Sequence, residues 1–431
     1  MQEAQLYAVW QNLGRSGQIL KTGAYRLRVL DAGQLNLHRG PDFVSAVFEL
    51  NGTRFTGDVE MHQHPNDWYQ HHHHLDPFFK NVCLHVVPGP SASNPENVTS
   101  ALTQRAIPTL ALDLSLLPAS FQSTTVSCQP ASAINVAALQ QLALERLHLK
   151  IRSFQHLLES QPIEQVFYEY FFRVLGYPHN AWPFQLLARH LPWNWLRQNL
   201  PSSTITPERL YAIYAGTAGF LPQVASDPFL QQLIRYYRQL RQVLPAAALT
   251  RQHWQFAGLR PVNHPHFRLA AWVALFLRYH LAPFKYLYQL FEVRLPFEAL
   301  YKQLQRFFAL VPNGYWAHHH ILASRPTARP ILHFFGAARI NELILNLLIP
   351  LLSARALAGQ SDGFFAYLTD FFLFLPLQSI YQKFKKRFPW LAQYQASFPN
   401  QALMQALIHL DEQFCSKNNC NLCPLEHIID K

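Results

Sequence analysis

The chain has 431 residues, of which 49% are hydrophobic and 14% charged, and it carries a formal net charge of +11. This composition excludes a disordered or collagen-like chain, and the length suffices for two or three domains with sizeable cores. Five cysteines, three of them after residue 414, do not make the framework of a small secreted disulfide protein.

The N-terminus, MQEAQLYAVW, has no basic segment followed by an apolar run, so no signal peptide is expected. The most apolar stretches, Leu343–Leu352 and Phe364–Leu377, are interrupted by Pro350 and Asp370 and are expected to fall short of a bilayer span. The expectation is a soluble, cytoplasmic protein with no membrane partner; the sequence leaves its oligomeric state open. Charge is uneven along the chain. Up to Thr125 there are 8 Lys/Arg against 10 Asp/Glu, and beyond it 28 against 15. A basic part beside an acidic one suits a protein that holds an anionic polymer near an acidic metal site.

Residues 1–125 are predicted to be an α/β domain. A helix over Glu3–Asn12 places Leu6, Val9, Trp10 and Leu13 at helical spacing. Strands follow at Tyr25–Asp31, Phe43–Leu50 and Thr53–His62, the last two joined by Asn51-Gly52, a strong hairpin signal. Further strands are expected at Asn81–Val87 and Ile107–Leu112. Residues 126–410 turn to amphipathic helices punctuated by Pro178, Pro183, Pro192, Pro261 and Pro283. Residues 411–431 form a cysteine-bearing tail.

Alternation puts Asp58, Glu60 and His62 on one face of the third strand. Asp42 opens the preceding strand, and hairpin pairing brings it towards Glu60. Two such carboxylates hold a divalent cation, Mg or Mn, that binds a phosphate oxygen and generates hydroxide from water. The order of helix, three strands, Pro-Asp before the second strand and Glu-x-His on the third resembles the PD-(D/E)xK nuclease superfamily. The resemblance implies a restriction-endonuclease-like mixed sheet and metal-dependent phosphodiester hydrolysis on nucleic acid. It makes Asp42 and Glu60 the metal ligands and puts His62 where the family has Lys, assisting the attacking water. The crossover helix that the family has before its next strand is short here, about Pro77–Lys80.

The segment NDWYQHHHHLDPFF adds His71 to His74, with His71 and His73 on one face if extended. Together with His62 and His85 they make a nitrogen-rich site that favours Mn, Fe or Zn over Mg. Candidate metal ligands are therefore Asp42, Asp58, Glu60, His71, His73 and His85, and a non-nuclease metallohydrolase using the histidines is the alternative activity. Asp76 is expected to cap a short turn that has Pro77 at its first position. The stretches GPDF, GDVEMH, DWYQHHHHLD and VCLHVV, followed by LRPVNHPHFRLA and the terminal cysteines, resemble a bacterial family catalogued only by a domain of unknown function.

In the helical part Arg235, Arg238 and Arg241 recur at three-residue spacing around Tyr236 and Tyr237. Lys383, Lys385, Lys386 and Arg387 interleave with Phe384, Phe388 and Trp390. Cations contact phosphates and aromatics stack on exposed bases, so a non-catalytic nucleic-acid-binding protein is a further alternative. In the tail, Cys415, Cys420 and Cys423 read as ligands of a structural metal, zinc or an iron–sulfur cluster, completed by His427 or by the distant Cys128.

Overall fold

The structure, a computed structural model, describes residues 3–36, 40–70, 73–90, 92–113, 128, 136–177, 179–200, 205–241, 244, 249–256, 258–391, 400–415 and 423–425. Of the residues singled out above, His71, Cys420 and His427 lie outside them, as do His72 and Pro178. The chain divides into two compact units, residues 1–127 and 128–431.

The first unit is built on a mixed sheet. Helix α1 (Glu3–Ser16) precedes strands β1 (Ile19–Thr22), β2 (Tyr25–Asp31), β3 (Gln34–Leu35), β4 (Phe43–Leu50) and β5 (Thr53–Met61). After the one-turn helix α2 (Asp67–Gln70) come β6 (Val82–Pro88), β7 (Val98–Ser100), β8 (Arg105–Ile107) and β9 (Thr109–Leu112). The sheet order is β1-β2-β4-β5-β6-β9, with β3 also pairing β4, while β7 and β8 form a separate ribbon. Pairing is antiparallel through β5 and parallel between β5, β6 and β9. Asn51 and Gly52 both take positive φ, 51° and 84°, so the β4–β5 turn has the twist that a tight hairpin needs. One face of the sheet buries Leu27, Val29, Phe48, Val59 and Met61 with Leu6, Val9, Trp10 and Leu13 of α1. A smaller apolar cluster of Trp68, Phe79, Val82, Val98 and Ile107 is separate from it.

Among the described residues, the crossover from β5 to β6 contains no long helix. Its described residues form α2 and two 3-10 turns, His73–Leu75 and Pro77–Phe79. Asp76 caps the second turn through a 3.0 Å hydrogen bond from the Phe78 N–H, with Pro77 at the first position.

The second unit is helical, beginning with α3 (Val136–Leu158) and α4 (Ile163–Leu175). Its core is aromatic: the Trp272 ring lies 5.0–5.4 Å from those of Phe171, Phe172, Tyr168 and Phe276. Residues Ala337–Ala358 make one continuous helical run through Pro350, contrary to the expected interruption. The π-turn at Ile344–Leu348 explains the difference. Its wider hydrogen-bond spacing ends one residue before the helical segment in which Pro350, having no N–H to donate, sits in the first turn. This run is long and apolar enough to cross a membrane, but 78% of its most apolar window is buried inside the protein.

Candidate metal centre

The centre forms where β5 meets β6. Parallel pairing sets Glu60 beside His85, and the His62 N–H extends the ladder to the Val86 carbonyl at 3.0 Å. Glu60, His62 and His85 are 5%, 2% and 0% exposed, so two imidazoles and a carboxylate have been taken out of water together. Such burial is costly unless each polar atom finds a partner. Here each does.

Glu60 divides its two oxygens. Oε2 accepts the Asp42 backbone N–H at 3.0 Å. Oε1 lies 3.4 Å from His62 Nε2 and 3.3 Å from His73 Nε2. His62 Nδ1 is 2.9 Å from His85 Nε2, and His85 Nδ1 is 3.2 Å from Thr109 Oγ1. Burial, with the His62 ring beside it, pushes His85 down to about 3, so the ring is neutral at physiological pH. A consistent proton assignment follows. His85 donates from Nδ1 to Thr109 and accepts at Nε2 from His62 Nδ1–H, leaving the His62 Nε2 lone pair facing Glu60. This is the arrangement of a metal-binding histidine whose far nitrogen is held by an outer partner.

His73 arrives from the 3-10 turn after α2. Its ring stacks between Phe79, at 3.8 Å and 26°, and His62, at 5.1 Å and 18°, with the Trp68 edge at 5.7 Å. Trp68 is in turn fixed by a 3.0 Å bond from its indole N–H to the Thr99 carbonyl. Glu60, His62 and His73 thus place one ligand atom each within 4.8 Å of one another, the one such group of three among the described residues. A carboxylate facing two imidazoles needs either an imidazolium proton or a cation between them. One carboxylate with two histidines is a donor set that suits zinc, iron or manganese.

Asp42 is brought beside Glu60, but its carboxylate faces elsewhere. Oδ2 accepts the Met61 N–H at 2.8 Å and Oδ1 the Tyr7 hydroxyl of α1 at 2.5 Å. Around it, Gly40 takes φ 115°, Asn36 Nδ2 donates to the Pro41 carbonyl at 2.9 Å, and the Asn36 N–H donates to the Asp42 carbonyl at 2.7 Å. The GPDF stretch is therefore a clamp that aims the Asp42 N–H at Glu60. Asp58 does not join the group. The β4 register shifts between Phe43 and Ala46, Ser45 takes φ 57°, and the Ser45 N–H donates to Asp58 Oδ1 at 3.0 Å. A second shift, between Asp58 and Val59, interrupts the pairing with β6 beside it. Burial raises the Asp58 carboxyl, partly offset by the Ser45 bond.

Sequence patterns did not single out Tyr7, Thr109, Trp68 or Phe79 as parts of this centre. Tyr7 lies next to the apolar stripe of α1, and Thr109 follows Pro108, but neither position signals a tertiary partner.

In the helical unit, Arg235, Arg238 and Arg241 are exposed, and so are Lys383, Lys385 and Lys386. Of the aromatics between them, Tyr237, Phe384, Phe388 and Trp390 are packed inward. A Cβ at Gly216 would lie 2.2 Å from the Tyr237 ring, and Phe384, Phe388 and Trp390 are in the core. Arg238 donates to the Gln223 carbonyl, while Lys383 and Arg387 both pair with Asp411. Cys128 and Cys423 are buried thiols of this unit and Cys415 is half-buried.

A family model described as "Protein of unknown function (DUF2851)" matches residues 3–373. No curated protein and no solved structure matches the chain.

Proposed function

The chain belongs to the DUF2851 family, whose description assigns no activity, and from its own geometry we propose that it is a metal-dependent hydrolase whose cation is held by Glu60, His62 and His73. One observation carries this reading. Glu60 Oε1, His62 Nε2 and His73 Nε2 converge, while Glu60 Oε2 and His62 Nδ1 are each held by an outer partner, the Asp42 N–H and His85. Three protein ligands leave a coordination position for water, and a bound divalent cation lowers that water's pKa towards about 7, which supplies hydroxide. Asp42 and Tyr7 act by positioning Glu60.

The substrate proposed first is a phosphodiester of nucleic acid. Its supports are the strand order, antiparallel to β5 and then parallel to β6, with Asp42 and Glu60 adjacent as the PD-(D/E)xK resemblance implies. The excess of Lys and Arg beyond Thr125 adds to them. The imidazole ligands and their burial favour a second reading, a metallohydrolase acting on a small substrate. His73, the most open ligand, has a side chain only 15% exposed.

The test is hydrolysis of single- and double-stranded DNA and RNA, and of bis-p-nitrophenyl phosphate, with and without chelator. Cleavage that needs the metal and is lost in both Glu60→Gln and His73→Ala is the expected result. Cleavage of the small ester alone selects the second reading. Metal binding without hydrolysis of any of these contradicts the phosphodiester assignment.

A further inference from the structure

A cleft of about 400 Å³ lies within the helical unit, where the end of the helix Pro265–Arg278 meets the helices Pro283–Glu292 and Phe297–Phe307. That volume suits a small ligand. Tyr286, Gln289 and Leu290 line it from one face of the second helix, at three- and four-residue spacing. Gln303, Arg306 and Phe307 line it in the same way from the third. Each helix keeps a neighbouring face for the core, with Phe284, Leu287 and Phe291 buried on one and Leu300 and Leu304 on the other. Arg278 and Tyr279 come from the end of the first helix. From there the chain turns into the second helix through His280 and Leu281, both at positive φ, 48° and 61°. Their N–H groups donate to the Leu277 and Phe276 carbonyls at 3.2 and 2.8 Å, so these helix-end acceptors are already satisfied.

The walls divide by chemistry. Tyr279 is fixed: its ring stacks on Phe307 at 4.0 Å and 9°, and its hydroxyl donates to the Phe307 carbonyl at 3.0 Å. The Tyr286 ring, 5.2 Å from it and 39% exposed, is the open aromatic surface. Arg278 and Arg306 are exposed cations, and no carboxylate lines the cleft. Among the described residues neither guanidinium pairs with a carboxylate, and the side-chain amides of Gln289 and Gln303 have no hydrogen-bond partner in the protein. Two such cations beside an open aromatic ring and two unspent amides match a ligand with a phosphate and a flat, polar-edged ring. We propose that this cleft binds a nucleoside phosphate, with Arg278 and Arg306 on the phosphate, Tyr286 against the base, and Gln289 and Gln303 at the base edge. The source is a free nucleotide or the phosphorylated end of a nucleic-acid strand. The inference does not rest on the hydrolase reading, because the cleft shares no residue with the Glu60 centre.

The experiment is calorimetric titration of AMP, adenosine and inorganic phosphate into the full chain, with chelator present to keep metal off the Glu60 centre. A single-stranded oligodeoxynucleotide, with and without a 5′-phosphate, is titrated alongside. The expected result is one-site binding of AMP or of the phosphorylated strand, about tenfold or more tighter than of adenosine, the bare strand or phosphate. Tighter binding of AMP identifies a free nucleotide as the ligand, and tighter binding of the phosphorylated strand identifies a strand end; either order upholds the proposal. Arg306→Ala should weaken the tighter ligand about tenfold or more, and Tyr286→Ala about fivefold or more. Lys302→Ala, which removes an exposed cation outside the lining, should leave it unchanged. Arg306 and Tyr286 are exposed, and a thermal melt checks that both variants fold; if they do not, the ligand comparison on the wild type decides alone. No binding of AMP or of the phosphorylated strand at millimolar concentration, equal affinity for phosphate alone, or equal losses in Arg306→Ala and Lys302→Ala overturns the proposal.

Discussion

Both units bury polar and charged side chains, and they use them differently. In the helical unit Arg268 and Arg339 are 4% and 6% exposed; burial pushes both down, with the Arg339 charge adding to it at Arg268 and Glu342 opposing it at both. Their donors go to main-chain carbonyls, to the Asn263 amide oxygen and to the Glu342 carboxylate. Arg339 bonds the Val174 and Tyr177 carbonyls at 2.5 and 2.9 Å and pairs with Glu342 at 2.6 Å. Arg268 reaches Asn263 Oδ1 at 2.5 Å. His266 Nδ1 accepts the Leu322 N–H at 3.1 Å. These groups tie the end of α4 to later segments. In the first unit, the partners of Glu60 and His62 hold only their outer atoms, and the inner atoms face one another. Buried polarity alone does not mark a site. Convergence of ligand atoms with their far sides already held does.

The largest effect that sharpens this contrast is expected from Arg339→Ala, which leaves the Val174 and Tyr177 carbonyls and Glu342 without their donor. Losing one member of a buried charge pair costs roughly 3–5 kcal/mol. Urea unfolding followed by fluorescence should show that loss with metal affinity retained; a loss below about 1 kcal/mol would break the comparison. Glu60→Gln should do the reverse. The amide still accepts the Asp42 N–H, so stability holds, while affinity for zinc or manganese falls by about 100-fold or more, roughly 3 kcal/mol. Unchanged affinity would return Glu60 to the structural class.

A third test uses pH. Burial, with Arg251 and His320 nearby, pushes His264 down to about 4, and His266 lies well below the ordinary histidine range. The unfolded chain takes up these protons near pH 6.5, whereas the folded chain takes up that of His264 only near 4. Their contribution is therefore fully present above 6.5 and is lost as pH falls towards 4. His264 alone should account for roughly 2 kcal/mol between pH 7 and 5, and His264→Gln should flatten that part of the profile. An identical slope in the variant would contradict the assignment. The smallest effect is expected from Thr109→Val, which removes the outer partner of His85. Outer-partner losses cost about 10-fold or more in metal affinity, and no change here would detach the Thr109–His85–His62 chain from the centre.

Much of the first unit was legible in local pattern. The Tyr25–Asp31 and Phe43–Leu50 strands follow from alternation, and the turn between β4 and β5 from Asn51-Gly52. The proximity of Asp42 to Glu60 was legible because hairpin pairing fixes it. The fate of Asp58 was not, since its carboxylate accepts the N–H of Ser45, held at positive φ, and that conformation has no composition cue. Alternation also could not tell which way the Asp42 carboxylate turns, because Tyr7 reaches it from a separate element. In the helical unit the spacing of cations among aromatics resembled a base-stacking surface. The same three- and four-residue spacing serves core packing, which is where Phe384, Phe388 and Trp390 lie.

The central claim is that Glu60, His62 and His73 are the ligands and that Asp42 positions Glu60. Its most direct test is calorimetric titration of zinc and of manganese into metal-stripped wild type, His73→Ala and Asp42→Asn. The account predicts one-site binding in the wild type that is abolished by His73→Ala and retained by Asp42→Asn, whose backbone N–H still holds Glu60. Binding lost in Asp42→Asn but intact in His73→Ala would contradict it and move the cation to the paired carboxylates.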